Sequence, residues 1–442
     1  MRIAIVGSGI SGLACAWLLN RRHAVTVYEA EARAGGHSNT IEVAHQGGRI
    51  PVDTGFIVYN EPNYPNLTRL FEALDVPTHR SDMSFAVSIG DGRIEYCGSG
   101  PRALFARSRN VVSLDFHRML LEIVRFNRAG TQALVGGIDD TLTLGGFLAR
   151  EGFGEAFRRR YLLPMAAAIW SGSTGGMLDF PARTFLRFFA NHGLLTVAGQ
   201  PEWRTVTGGS RVYVGRIAAA LGPALRTSAR VVAARRVGGG VEVIDAGGGR
   251  ERYDHVVLAC HADQALAAIE APTPAEASVL GAFAYRTNHA VVHRDAALMP
   301  RRRAAWASWN YLAEVENQDG GSTAVTYWMN RLQGLPEDCP VFVSLNPLRE
   351  PEPSTVEARF DYAHPQFTRS TLQAQARLPE IQGRERIWFA GAHWGYGFHE
   401  DGLRSGLDVA AALGVRAPWW PEDRTEVGAA PSLPLPAAAK PE

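Results

Sequence analysis

Lysine is almost missing from this chain: Lys440, close to the C-terminal end, is the only one, and arginine supplies the rest of the 45 basic side chains. Schiff-base and lysine-base chemistry are thereby excluded outside the tail. The accompanying abundance of Ala, Gly and Arg reads as the imprint of a GC-rich genome. Cysteine is scarce too. Cys15, Cys97, Cys260 and Cys339 lie far apart with no C-x-x-C pair, and no charged-then-apolar leader precedes the first strand, so a reduced, cytosolic protein is expected. No apolar run approaches the roughly 20 residues of a membrane span; contact with a membrane is expected to be peripheral at most. The formal net charge of +1 gives no global pull towards nucleic acid. There is no G-x-S-x-G elbow, no H-E-x-x-H pair and no Cys–His cluster at zinc spacing, which leaves no metal candidate.

What is present is a large apolar fraction, 46% of 442 residues, enough for two interleaved domains. Residues 2–6 read as a buried parallel strand, Leu13 to Arg22 as the helix packed on it, and residues 24–28 as a second strand. From Phe85 to about Gln200 the pattern is mostly helical, with Val112, Phe116, Met119, Leu120, Ile123 and Phe126 on one face. After Gly208-Gly209-Ser210 it reverts to helix and strands, ending in the strand 254–259. The segment 282–347 predicts an antiparallel sheet, and a last strand at 386–390 leads through a glycine-rich turn into a helix from Leu403 to Leu413. The expected fold is α/β: a Rossmann-type FAD-binding domain (1–84, 203–275 and 380–416) with an inserted substrate domain of antiparallel sheet plus helices (85–202 and 276–379). The Ala/Pro-rich tail, 417–442, is expected to be disordered.

Gly7-Ser-Gly9-Ile-Ser11-Gly12 matches G-x-G-x-x-G between strand and helix, where such glycines allow a tight turn, close approach of a pyrophosphate and close helix packing. Phosphates are favoured at that helix N-terminus. Glu29 ends the second strand, 17 residues after Gly12, where an acid accepts hydrogen bonds from ribose hydroxyls.

Arg33-Ala-Gly35-Gly36-His37 follows, and here the sequence resembles the flavin amine oxidase, phytoene desaturase and protoporphyrinogen oxidase superfamily. In that superfamily the FAD fingerprint continues as R-x-G-G-R; His37 replaces its last arginine. The resemblance extends through Asp53-Thr-Gly55-Phe56, where the chain usually passes the flavin, and through Gly208-Gly209-Ser210. It includes Val231, matching the valine whose backbone usually meets adenine. Phe389-Ala-Gly391 and Asp401-Gly402-Leu403-Arg-Ser405-Gly406 resemble the closing motif that holds pyrophosphate and flavin, with Ala392 in place of the usual acid. The resemblance covers nearly all of residues 1–415 and implies one FAD. No second G-x-G-x-x-G points to a separate NAD(P)H domain.

Amine oxidases of this superfamily commonly place a lysine near the flavin, and this chain has none there, so the resemblance favours hydride removal from an apolar substrate as in desaturases. Trp394-Gly-Tyr396-Gly-Phe398-His399-Glu400, Tyr161-Leu-Leu-Pro164 to Trp170, and Trp306-Ala-Ser308-Trp309-Asn310-Tyr311 resemble a bacterial branch of predicted NAD/FAD-binding proteins. That branch is linked with cyclopropane-fatty-acid-synthase-like methyltransferases, and the resemblance implies a methylated fatty acyl chain as substrate. Tyr59, Asn60, Tyr396, His399 and Glu400 are the polar candidates for a proton acceptor, His399 first. His261-Ala-Asp263 reads as loop. Arg102, Arg107, Arg109, Arg118, Arg125 and Arg128 mark an amphipathic stretch, 101–129, that fits an anionic membrane; Asp115 and Glu122 interrupt the charge and favour a plain solvated face. Trp419-Trp420 reads as packing on the last helix. An amine or small-molecule oxidase and a non-catalytic flavoprotein scaffold stay open as alternatives. The electron acceptor is open between oxygen, a quinone and a protein.

Overall fold

The computed structural model describes residues 1–139, 141–170, 174–196, 199–316 and 323–421. The expectation of a disordered tail falls, from residue 422 on, outside the described residues.

A five-stranded, fully parallel sheet runs in the order Leu225–Arg226, Ala24–Tyr28, Arg2–Val6, His255–Leu258, Ile387–Phe389. The Arg2–Val6 strand sits at its centre, pairing Ile5 with Val27 on one side and Val257 on the other. Only residues apolar on both faces suit that position. Helix α1 (Ile10–Leu19) packs on this sheet and is buried over nearly its whole length. It begins at Ile10, three residues before the position expected from periodicity, because the glycine motif itself forms the first turn. Helix α2 (Pro65–Ala73) and the long helix α3 (Leu114–Gly136) follow.

The last helix, α4 (His399–Ala412), likewise begins four residues earlier than expected. It crosses α1 at two glycines: a Cβ on Gly406 would lie 2.2 Å from the Ser11 carbonyl oxygen, and one on Gly402 3.0 Å from Ser11 Oγ. Any side chain there would push the helices apart.

The second sheet has seven strands, in the order Val356–Gln366, Ala284–His293, Phe342–Leu345, Thr323–Trp328, Trp309–Ala313, Phe85–Ile89, Ile94–Cys97. Its pairings are antiparallel except Trp309–Ala313 with Phe85–Ile89, which is parallel. Two expectations are corrected here. Residues 85–97 are not helical: they form a hairpin closed by Gly90-Asp91-Gly92, all three at positive φ, a turn glycine and Asp favour. The edge strand Val356–Gln366 lies beyond the segment 282–347 expected to form the sheet; Pro365 is tolerated in it because it is an edge.

The helical segments between residues 101 and 191 enclose a second core around Phe126, Phe147, Phe157, Phe185 and Phe189, closed on one side by Val87, Ile89, Tyr96 and Tyr311 of the seven-stranded sheet. Phe185 and Phe189 stack at 4.2 Å. Trp419 stacks on Trp17 of α1 at 6.3 Å, the Trp419 and Trp420 indoles both donate to Asn66 Oδ1, and the pair packs against a core that includes Leu403, Leu407 and Ala410 of the last helix. Among the described residues no helix is long and apolar enough to cross a membrane.

Candidate functional site

The three motif glycines do different jobs. A Cβ on Gly7 (φ +102°) would lie 2.7 Å from the Ala259 carbonyl oxygen, and one on Gly12 only 2.0 Å from that of Gly7; both are required by packing inside the chain. A Cβ on Gly9 meets nothing within 4 Å. The chain itself does not need glycine there, so the open space suits a ligand. Gly9 is also the N-cap of α1 and no side chain caps the helix. The first intrahelical bond is Leu13 N–H to the Gly9 carbonyl at 2.9 Å, so the N–H groups before Leu13 point out of the helix end. A pyrophosphate satisfies such donors and the dipole behind them.

Glu29 stands at the mouth of the same turn. Its Oε2 accepts from Ser8 N–H and Oγ at 2.9 and 2.5 Å, and its Oε1 from Glu31 N–H at 2.9 Å. Carboxylate lone pairs remain for a diol. The Ala229 N–H donates to the Glu29 carbonyl at 2.8 Å. Val231, two residues on, opens the Val231–Val237 strand beside a register shift. The residues matched to ribose and adenine are thus brought together.

Gly35 (φ +114°) donates to the Ser8 carbonyl at 3.0 Å, and a Cβ on Gly36 would lie 3.2 Å from Gly9 Cα. Arg33 is exposed and makes no side-chain hydrogen bond among the described residues. The His37 carbonyl accepts from the Phe56 N–H at 2.8 Å, and a Cβ on Gly55 would sit 2.2 Å from it. The His37 ring is 5.0 Å from Tyr362, 5.4 Å from His364 and 6.2 Å from His261. Burial, then the neighbouring imidazoles, hold His37 well below the usual imidazole pKa, so it is neutral and supplies no fixed charge in place of the arginine. Gly391 is fixed by its N–H to Ser405 Oγ at 2.8 Å, and Ser405 Oγ in turn donates to the Gly402 carbonyl. Gly402 and Leu403 lie in the first turn of α4.

The candidates for a proton acceptor fare differently. His399 Nε2 is hydrogen-bonded by Ser38 Oγ and Tyr213 OH at 2.9 and 3.0 Å, its ring stacks on Phe56 at 3.8 Å, and burial lowers its pKa to about 3. Such an imidazole fixes the start of α4 and is a poor base. Glu400 caps helix α2: Asn66 N–H, Asn66 Nδ2 and Leu67 N–H all donate to it at 2.6–3.1 Å, and burial raises its pKa to about 7. Asp401 accepts from the Tyr396 and Phe398 N–H groups and so ties the preceding loop to its helix. Tyr59 is a core residue, edge-on to Tyr64 and Phe71, with its hydroxyl 3.4 Å from Thr78 Oγ1. Asn60 is buried beside it, its Oδ1 accepting from Asn63 N–H. Tyr396 sets its ring edge-on to Phe188 at 6.0 Å, against the core of the helical segments.

Sequence reading missed several residues that complete this region. Tyr362 and His364 project from alternate positions of the unforeseen edge strand. The Tyr362 hydroxyl meets Asn39 Nδ2 at 3.0 Å and Thr54 Oγ1 at 2.5 Å; His364 Nδ1 accepts from Asn288 Nδ2 at 2.7 Å, and burial lowers its pKa to about 4. Of the expected loop His261-Ala-Asp263, His261 alone lies outside a helix; Ala262 and Asp263 are helical. His261 precedes the helix Ala262–Ala268 and stacks on Tyr285 at 4.4 Å. Asp53 joins three segments, accepting from Thr40 Oγ1, Ser210 N–H and Oγ, and Gln333 Nε2; burial lifts its pKa to about 6. The opposite wall is aromatic: Phe188 stacks on His192 at 3.9 Å and Phe398 at 5.0 Å, and Trp170 lies 4.6 Å from Phe188. Among the described residues no group of His, Cys, Asp and Glu is placed to hold a metal ion.

The profile of the family described as flavin containing amine oxidoreductase matches residues 10–287. No curated protein sequence matches the chain. Among solved structures, a CLA-producing fatty acid isomerase from P. acnes superposes with a TM-score of 0.68 at 15% identity, covering 94% of this chain and 99% of its own. Cyclohexylamine oxidase from Brevibacterium oxydans gives 0.66 at 16%, covering 93% and 98%. A putrescine oxidase solved with putrescine gives 0.64 at 16%, covering 93% and 99%. At these identities the likeness is one of fold: mixed α/β, with parallel and antiparallel sheets.

Proposed function

This chain belongs to the family of flavin-containing amine oxidoreductases, and from that premise we propose that it is an FAD-dependent dehydrogenase or desaturase acting on a neutral, lipid-like substrate. Gly9, the open N-terminus of α1 and Glu29 fit FAD's pyrophosphate and ribose, with Val231 for adenine and the first turn of α4 for the flavin end. Bound FAD supplies the hydride acceptor. The chain's own part is to orient the substrate and exclude water from it.

The observation that carries this reading is the state of the acids. Asp53, Glu400 and Asp401 are each bound to donors of the chain itself, and the neighbouring wall of the helical unit's core is Phe188, Tyr396, Phe398 and Trp170. An ammonium substrate would enter such a wall without a counter-charge, at a cost an acyl chain does not meet. The fatty acid isomerase from P. acnes supports this reading, because its name attaches a fatty acid to the same fold. A methylated acyl chain is the substrate suggested by the aromatic motifs around Trp306 and Trp394. The second reading, an amine oxidase, rests on the family's description and on the two amine oxidases of like fold.

Anaerobic stopped-flow absorbance distinguishes them. Phospholipids with methylated acyl chains are expected to bleach the oxidised flavin band while a panel of amines leaves it unchanged. Bleaching by amines alone would overturn the substrate assignment and leave the FAD fold standing.

A further inference from the structure

Large apolar side chains exposed on this protein are not scattered. Of nine such residues among the described ones, six fall between positions 111 and 135: Val111, Val112, Leu114, Leu121, Val124 and Val135, with Leu114 at 82% and Val112 at 79% exposure. Single exposed apolar residues need no explanation; a cluster does. The helical repeat groups them further. Leu114, Arg118, Leu121, Arg125, Arg128 and Gln132 succeed one another at steps of three and four residues and form one outward stripe of α3. The 3-10 turn Ser108–Val112 sets Val111 and Val112 at its head.

The two acids that seemed to break the basic run lie off this stripe. Glu122 turns towards the body, where it accepts from the Gly154 N–H at 3.1 Å and pairs with Arg125; its side chain is 13% exposed. Asp115 sits in the first turn, on the same flank as Glu122 seven residues on. Arg125 is drawn down as well, donating to the Gly152 carbonyl and covering Phe153. Arg109, Arg118 and Arg128 form no ion pair among the described residues. Beside Arg128 a shallow hollow of about 380 Å³ is lined by Val124, Asn127, Thr131, Gln132 and Leu195, with Asn127 buried and its Oδ1 unpartnered.

We propose that the outward face of α3, with the turn before it, is a docking surface for an anionic phospholipid membrane: the apolar side chains enter the acyl boundary while the unpaired arginines meet headgroup phosphates. A face that mixes exposed leucine and valine with the unpaired Arg118 and Arg128, and carries no acid on its stripe, is the pattern of a helix lying in the interface plane. A purely apolar protein groove would leave those cations without a partner. The inner side of the same helix, through Phe116, Met119 and Phe126, joins the core containing Phe188, which in turn contacts Tyr396 and Phe398. The docking face and the Tyr396–Phe398 loop therefore lie on either side of one aromatic core. The docking assignment stands on this surface alone and does not need the lipid substrate.

Co-sedimentation of the flavin-loaded full chain with vesicles of saturated phosphatidylglycerol and phosphatidylcholine tests it. The wild type is expected to pellet with anionic vesicles at low salt and to be released at high salt. The Arg118→Glu, Arg128→Glu pair and the Val112→Glu, Leu121→Glu pair, all surface changes, should keep their flavin and melting temperature and bind roughly tenfold more weakly. A wild type that stays in solution with anionic vesicles at low salt, or a charge-reversed pair that pellets equally well, would overturn the proposal. So would a dimer that Val112→Glu, Leu121→Glu dissociates while no vesicle binding is seen, which would give the face to a second copy of the chain. Pelleting without flavin reduction by any lipid would support the docking face and contradict the proposed substrate.

Discussion

At the cofactor end of this molecule the decisive atoms are backbone atoms, and the side chains that matter are the ones missing. Gly12 and Gly406 let α1 meet the first turn and α4 at distances where a methyl group would collide, and Gly9 leaves the helix end open. In the helical unit between residues 101 and 196 the reverse holds: Phe126, Phe185, Phe188 and Trp170 fill the space and neighbouring rings position one another. A backbone device tolerates almost no change at its few positions. An aromatic core tolerates change of shape at a graded cost. The first suits a cofactor of fixed shape, the second a flexible apolar substrate.

The contrast can be broken by mutation. The largest effect is expected at Gly12→Ala, whose Cβ would lie 2.0 Å from the Gly7 carbonyl oxygen: the yield of soluble, yellow protein should collapse. A well-folded Gly12→Ala variant would mean the close packing is not required. Next is Phe185→Ala, a fully buried ring, which should cost about 3–5 kcal/mol of stability by denaturant titration while the purified protein stays yellow. Loss of flavin in that variant would show that the two regions are not separable.

Acid should act on the region where they meet. His37, His192, His261, His364, His393 and His399 all have folded-state pKa values pulled below the usual imidazole range by burial. Each contributes stability that is present above about pH 6.5 and is lost as pH falls towards its folded value. For those lowered to about 4 the loss is at most about 3 kcal/mol each. Asp53 and Glu400, raised to about 6 and about 7, and Asp401, also raised, act in the opposite sense: their contribution is present below their unfolded pKa and is lost as pH rises through the folded one. Six imidazoles outweigh three carboxyls, so the melting temperature should fall between pH 7 and pH 5. A melting temperature that rises over that interval would contradict the neutral-histidine wall.

Smaller effects sharpen the comparison. His399→Asn should lower turnover only modestly and leave the acid limb of the pH–rate profile where it is, because His399 positions α4; disappearance of that limb would restore it as the base. Gly9→Ala should leave the stability of the flavin-free protein unchanged, since its methyl group meets nothing in the chain, and yet weaken FAD retention. Unchanged retention would remove the assignment of that space to the pyrophosphate.

The cofactor end was the more legible of the two because a motif states a backbone requirement directly. Gly7, Gly9, Gly12 and Glu29 lie together as their spacing implied. What the sequence left open was where those helices begin: α1 and α4 start three and four residues before their apolar periodicity does, because glycine is a poor helix former and tertiary packing overrides it. The same packing gives His399 and Glu400 partners within the chain that the sequence could not show, and favours a capping role over that of a base for both. Tyr362 and His364 were missed with their strand, whose polar alternation marks an edge and not a core. In the helical unit periodicity found Phe116, Met119 and Phe126 on the buried face of α3, but Val112, expected on that face, belongs to the preceding 3-10 turn and is exposed, and linear order showed Asp115 and Glu122 among the arginines where the helix turns them aside.

The most direct test is an anaerobic single turnover with a saturated or methylated acyl lipid, following flavin absorbance and lipid mass together. One flavin reduced for each lipid that loses two hydrogens is the predicted result. A lipid that returns with unchanged mass, or flavin reduced only by amines, would contradict the account.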